Sequence, residues 1–315
     1  MKIEGDSFYA FTSLTYLNLS FCIKIEIIDY GFTNLVSLER LSFKDCTNLK
    51  KIHFTSDDKT NLKVFLFEGC EDSEDMLMEL KHLTSLQVIS LSVMLSLTID
   101  NGFTILVSLE FFIFKDFTNL KEIHATFNKI SFKNCKKMKI KDNSFNGFKS
   151  LTYLNLSSCI KVEIIDNGFI NLVSLEKLLF KDCRNLKEIH ATFASMTNLK
   201  VLRLRDEIPF IFDGMINLEI LWLEGCENFQ DMPMRLNHLS SLQEISFVNC
   251  KRMKIEGDSF KTFTSLTYLN LSNCIEVETI NYGFTNLVFL EIYYFINCTN
   301  LKKFHATFDS MRNLN

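Results

Sequence analysis

The sequence predicts an α/β solenoid, a stack of short units that each give one strand to a parallel sheet and return over its outer side. Three observations carry this expectation. The chain of 315 residues repeats itself at a spacing of 24. Each repeat opens on an alternating L-x-x-L-x-L run. Phenylalanine is strongly over-used, with 31 Phe against one Trp and two Pro. A fixed short period means that length counts stacked units rather than separate domains.

The unit is clearest at Leu14, Leu17, Leu19 and Cys22, which read L-x-x-L-x-L-x-x-C and are followed by Ile25, Ile28, Phe32 and Leu35. Openings fall at Leu14, Leu38, Leu62, Leu86, Leu109, Phe127, Leu151, Leu175, Leu199, Leu218, Leu242, Leu266 and Leu290. Two steps are short, 18 residues from Leu109 and 19 from Leu199, which places their deletions in the return segment. Alternation at the fourth and sixth positions is the period of a half-buried strand, with Leu154 and Leu156 inward and Tyr153 and Asn155 outward. Units running in one direction must pair in parallel, so the sheet lines the concave face. The returns hold about a dozen residues with apolar positions three apart, which predicts short 3₁₀ or irregular convex segments. The whole chain, 1–315, is expected to form one domain of about 13 units that is uncapped at both ends.

The phenylalanines fall into two columns. Phe8, Phe32, Phe103, Phe145, Phe169, Phe193, Phe212, Phe260, Phe284 and Phe308 stand six residues before an opening. Phe43, Phe67, Phe114, Phe132, Phe180, Phe247 and Phe295 take the sixth position. Stacked rings of this size identify packing residues, not a cofactor box. The ten cysteines step by 24 residues within groups and offer no C-x-x-C pair. One column of thiols at the ninth position predicts buried, reduced cysteines in a reducing compartment, where a small side chain meets backbone groups at the strand end. Met94, Phe117 and Glu207 replace the cysteine in three units, whose turns are expected to differ.

A net charge of −4 gives no support for bulk nucleic-acid or membrane-surface binding. The sequence shows neither a signal peptide nor an apolar run of membrane-spanning length. A second period of 115 residues, from Leu151 to Leu266, copies five units as a block. MKIEGDSF recurs at residues 1–8 and 253–260, and the last ten residues align with those from Ala191, so both ends fall inside a repeat.

The pattern L-x-x-L-x-L-x-x-C-x-x-I-x-x-I, as in Leu151 to Ile165, resembles the leucine-rich repeats of plant intracellular disease-resistance receptors, which form horseshoe solenoids. That family usually continues Leu-Pro, and only Met232-Pro233 keeps the proline here. The resemblance implies a cytoplasmic sensor that recognises a pathogen effector or a guarded host protein and restrains a nucleotide-switch domain. No phosphate-binding G-x-x-x-x-G-K-[ST] motif occurs, so that domain would lie upstream of this chain.

The third, fifth and seventh positions of each unit should face out from the sheet. They carry Arg40, Lys44, Lys115, Lys129, Lys133, Lys177, Lys181, Arg203 and Arg205 against Glu68, Glu224 and Glu244. Such a stripe suits an acidic protein partner, while the competing reading is a solvated face neutralised by Asp45, Asp116, Asp182 and Asp206. Trp222 with Ile220 and Val201 has the composition of an interface anchor, and Ile292, Tyr294 and Ile296 form a second apolar group. The candidate partner-binding residues are therefore Arg203, Arg205, Trp222, Ile220, Lys177, Lys181 and Tyr153.

His53, His124, His190 and His305 share one register in units too far apart to ligate a metal together. The sequons at Asn18, Asn155, Asn270 and Asn297 are copied strand positions and are expected to be unglycosylated. No catalytic residue, metal site or cofactor is expected, and the chain reads as a non-enzymatic recognition module. A ubiquitin-ligase substrate adaptor and a fragmentary copy without independent function remain the alternatives.

Overall fold

The structure, a computed structural model, describes residues 1–54, 61–70, 79–92, 97–99, 106, 108–116, 120–123, 127–135, 145, 147–160, 162, 164–165, 169–183, 185–186, 188–189, 195–205, 212–226, 235–255, 259–280 and 282–304. These fall into two compact units. The first comprises Met1–Lys139 and Ser144–Leu154, the second Ile140–Asn143 and Asn155–Asn315.

In the first unit the outward-facing strands are β1 (Tyr16–Asn18), β2 (Arg40–Lys44), β3 (Val64–Glu68), β4 (Val88–Ser92), β5 (Phe111–Lys115) and β6 (Lys129–Lys133). A strand β7 (Tyr153–Asn155) lies at the division. The second unit contains β8 (Lys177–Phe180), β9 (Val201–Arg205), β10 (Ile220–Glu224), β11 (Glu244–Ser246), β12 (Tyr268–Asn270) and β13 (Ile292–Tyr294). Within each unit successive strands are parallel neighbours. Every strand starts two residues after an expected opening, so each unit is a parallel-stranded solenoid as the periodicity predicts. The shortened repeats keep the same register. Leu202 pairs with Leu221 and Phe112 with Ile130, equivalent positions in each case.

Inward positions make the core. Leu41, Leu154, Leu178, Leu202, Leu221, Ile245 and Leu269 are wholly buried. The phenylalanine columns stack as expected, with Phe8 and Phe32 rings 6.2 Å apart, Phe114 and Phe132 5.1 Å, and Phe260 and Phe284 4.7 Å. Six of the seven sixth-position phenylalanines are buried, and Phe295 is half-exposed. Phe103, Phe193 and Phe308 lie outside the described residues.

The three-residue apolar spacing of the returns follows from i to i+3 hydrogen bonds. Leu35 N donates to Phe32 O at 2.9 Å and Leu38 N to Leu35 O at 3.0 Å, and the same pair recurs at Phe169, Leu172 and Leu175. A 3₁₀ helix covers Tyr282–Asn286. The returns nevertheless contain more strand than the sequence predicts. Lys2–Glu4, Ile27–Asp29 and Lys51–His53 form a small parallel sheet, and paired returns recur at Ile164–Ile165 with Glu188–Ile189 and at Thr279–Ile280 with Lys303–Phe304. Returns stacked one repeat apart present amides and carbonyls in register, and pairing satisfies them.

Every described eighth position, just past an outward strand, is left-handed. Asp45, Asp116, Asn134, Asp182, Asn249, Asn273 and Asn297 have φ between 53° and 62°, as Gly69 and Gly225 do at 67° and 71°. Asp, Asn and Gly are the residues that adopt this region at least cost, and here they fill all but two of the described eighth positions. The exceptions are Phe21 and Ser158, at 62° and 63°. The turned amide donates to the seventh-position carbonyl of the next unit, as from Asp45 to Glu68 at 2.7 Å and Asn273 to Ile296 at 2.7 Å. Asn273 Nδ2 also donates to Asn249 Oδ1 at 2.8 Å and Asn297 Nδ2 to Asn273 Oδ1 at 3.0 Å.

The next residue is the column cysteine. All ten are free thiols, eight of them buried. Cys46, Cys183 and Cys274 each donate from Sγ to the sixth-position carbonyl of the preceding unit at 3.0 Å. Met94, Phe117 and Glu207, expected to turn differently, lie outside the described residues.

On the outward face of the first unit, Glu68 Oε1 accepts from Ser90 Oγ at 3.0 Å and from Lys115 Nζ in an ion pair. Ser90 is 1% exposed although it lies in an outward column, because the Glu68 and Lys115 side chains meet over it. Partial burial raises the Glu68 carboxyl, but the Lys115 and Ser90 hydrogen bonds outweigh it and hold the group below its ordinary value of 4.5.

Replacing Asn273 by Val places a β-branched residue in the left-handed region and removes two side-chain bonds, which costs about 2 kcal/mol. Ser158→Asn should stabilise by about 0.5 kcal/mol. Urea midpoints followed by circular dichroism check both. A depressed carboxyl contributes stability that is present above its unfolded value and lost as pH falls through the folded one. Glu68→Gln should therefore lower the urea midpoint at pH 7, and the difference from the wild type should close once the pH is below the folded value. A gap that persists in acid would contradict the ion pair's role.

Candidate functional site

The outward face of the second unit holds a cleft of about 330 Å³. It is built across β8 to β12 by Lys181, Arg203, Arg205, Trp222, Glu224 and Tyr268, with Ser157, Ser246 and Asn270 also at its walls. Parallel register sets these residues side by side: Arg203 lies opposite Trp222, Arg205 opposite Glu224, and Trp222 opposite Ser246.

The Arg203 guanidinium carbon sits 3.8 Å from the centroid of the Trp222 ring, a cation-π contact on an open surface. On its other side Trp222 stacks on Tyr268 with centroids 6.3 Å apart and planes 21° apart. The small, buried Ser246 on the intervening strand lets the two rings meet across β11. Tyr268 in turn meets Tyr294 edge-on at 5.9 Å, which extends an aromatic strip to β13. The indole Nε1 of Trp222 is buried and has no hydrogen-bond partner.

The cations divide into two kinds. Arg205 pairs with Asp182 Oδ1 at 3.0 Å and Glu224 Oε1 at 3.8 Å, so both neighbouring carboxylates are engaged. Arg203 and Lys181 are exposed and have no ion pair among the described residues. The neutralisation expected from the eighth-position aspartates is therefore met at Arg205, while two positive groups stay available beside the indole. Asp206 lies outside the described residues.

Of the seven nominated residues, the cleft brings together Arg203, Arg205, Trp222 and Lys181. Lys177 is exposed in the third-position column beside Val201, and Ile220 is half-buried between Val201 and Glu244. Tyr153 belongs to the first unit, where it packs edge-on against Phe111 at 5.5 Å. Ile292, Tyr294 and Ile296 are exposed at 45%, 43% and 55%. Tyr268 is the member that sequence reasoning missed; its signal was a third-position aromatic two units from the sole tryptophan.

A second hollow of about 380 Å³ lies where the strands begin, lined by Asn198, Lys200, Asn217, Glu219, Ser241 and Gln243. Asn198, Asn217 and Ser241 there donate to carbonyls of the preceding unit at 2.9, 2.7 and 2.9 Å, so they tie units together.

Other chemistry-bearing groups have structural partners. Burial pushes the Cys70 thiol up to about 12 and raises Cys46 and Cys274, which keeps them protonated and poor nucleophiles. Among the described residues no group of three or more His, Cys, Asp or Glu side chains is placed to hold a metal ion. His53 lies against the Tyr30 ring at 5.8 Å with Glu79 Oε1 at 3.7 Å. His124, His190 and His305 lie outside the described residues. The sequon asparagines close turns: the Oδ1 atoms of Asn18, Asn155 and Asn270 accept from the amide two residues on at 3.0, 2.9 and 2.9 Å. No helix among the described residues is long and apolar enough to cross a membrane.

Among solved structures, the chain is similar to an internalin from Listeria monocytogenes at 15% identity and TM-score 0.46, covering 94% of this chain and 87% of that one. A leucine-rich repeat protein of Leptospira interrogans is 14% identical at TM-score 0.49, covering 97% and 90%. TLR13 in complex with ssRNA13 is 17% identical at TM-score 0.42, covering 99% and 72%. No curated protein matches in sequence. The family model for the BspA-type leucine-rich repeat region matches in six copies over residues 1–139, 124–221 and 222–313. With almost the whole length matched and each opening followed by its parallel strand, the chain belongs to the BspA-type leucine-rich repeat family.

Proposed function

We propose that the chain is a non-enzymatic protein-recognition module whose contact surface is the outward strand face of the second unit. Leucine-rich repeat proteins are generally protein-interaction modules. The observation that supports this surface is Arg203 lying 3.8 Å over the half-buried Trp222 on an open sheet. Arg and Trp are the side chains most enriched among residues that dominate binding energy, and here each holds the other in place before a partner arrives.

The finer reading is a sensor region of an intracellular immune receptor. It is supported by the ninth-position cysteine pattern that resembles plant disease-resistance receptors. The ten free thiols suit a reducing, cytoplasmic setting. A nucleotide-binding domain encoded upstream would support this origin; an F-box there would favour a ubiquitin-ligase adaptor instead.

The contact surface is tested by quantitative affinity capture with wild type, an Arg203→Ala/Trp222→Ala double variant, and an Ile170→Ala control on an exposed return segment. A genuine partner is retained by wild type and control. It is weakened roughly thirtyfold by the double variant, the loss of about 2 kcal/mol expected of one anchor. A partner set indifferent to the double variant removes the strand face as the surface.

A further inference from the structure

The second unit's outward face is chemically graded. At β8 and β9 it presents Lys177, Lys181 and Arg203, all exposed. At β10 and β12 it presents the stacked Trp222 and Tyr268, and at β13 the exposed Ile292, Tyr294 and Ile296. Arg205 does not add to the positive end, because Asp182 and Glu224 engage it. Glu244 is the only carboxylate on the third, fifth and seventh positions of β8 to β13 other than Glu224.

Building on the recognition role proposed above, we infer that this face takes an extended acidic-aromatic segment of a protein partner, lying across the strands with its carboxylates over Arg203 and Lys181 and its apolar residues over Trp222, Tyr268 and Tyr294. Five strand steps of about 4.8 Å span about 24 Å, which an extended chain at about 3.3 Å per residue covers with about seven residues. Charge complementarity selects the acidic end, since the exposed Arg203 and Lys181 have no carboxylate partner among the described residues.

A single-stranded nucleic acid fits this face less well. It needs cations along its whole track, whereas here they stop at β9, and its bases need gaps between rings, whereas Trp222 and Tyr268 stack on each other.

The test uses the full chain and three labelled probes followed by fluorescence anisotropy. These are an acetylated heptapeptide Asp-Glu-Asp-Gly-Phe-Leu-Phe, its counterpart with Ser for each acid, and a heptauridylate. Emission from Trp222, the chain's sole tryptophan, records whether the occupant reaches the cleft. The acidic heptapeptide should bind, shift that emission and weaken as salt rises. Arg203→Glu and Lys181→Glu should each weaken it about tenfold or more, and Arg205→Gln by about threefold at most. Equal loss at Arg203 and Arg205, equal binding of the serine probe, tighter binding of heptauridylate, or no binding of the acidic probe would each overturn the inference. A protein partner that still depends on Arg203 and Trp222 while the heptapeptide is silent would leave the recognition surface standing and remove only the segment.

Discussion

A strand that ends in an open sheet leaves its last amide and carbonyl without neighbours, and a stacked solenoid meets this problem once in every unit. In this chain the described eighth residues turn left-handed and, as at Asp45 and Asn273, hand their amides to the next unit, while ninth-position cysteines such as Cys46, Cys183 and Cys274 give their S–H to a carbonyl of the previous one. The two donations point in opposite directions along the stack. Where both donations occur, as at Asp45 with Cys46 and Asn273 with Cys274, a unit is tied to both neighbours at the point where the backbone leaves the sheet. The thiol suits this position because it is small, apolar enough to bury and still a donor.

Most of this architecture could be read from the sequence because it depends on periodicity. The strand starts, the phenylalanine stacks, the cysteine burial and even the two shortened units follow from spacing alone. The paired return strands did not, since Ile27–Asp29 and Lys51–His53 carry no alternation strong enough to announce a strand; they pair because stacking brings equivalent positions of successive repeats into register. The eighth-position turn was visible only as recurrent Asp, Asn and Gly. Read as charge, Asp45, Asp116 and Asp182 looked like neutralisers of a basic stripe, whereas their primary service is conformational, and Asp182 performs both.

The candidate site shows the same limit more sharply. The columns named the outward residues correctly but could not say which of them touch, because contact across strands depends on rotamers and on the size of what lies between. Ser246 decides that Trp222 reaches Tyr268, and Asp182 with Glu224 decides that Arg205 is occupied while Arg203 has no ion pair among the described residues. Tyr153 shares its column with Tyr268 and even its neighbours' sequence, Tyr-Leu-Asn, yet packs on Phe111 because a different unit stands beside it. A repeated motif thus acquires different surroundings each time it is copied.

The constancy of register across repeats of 18, 19 and 24 residues separates two kinds of change. Residues lost or gained between the ninth position and the next opening leave the rows of the outward strands in register. Copying the 115-residue block inserts five complete rows of outward side chains at once, each already hydrogen-bonded at its edges. The outward surface can therefore be rewritten by whole rows through recombination, without any intermediate in which a strand is out of step with its neighbours.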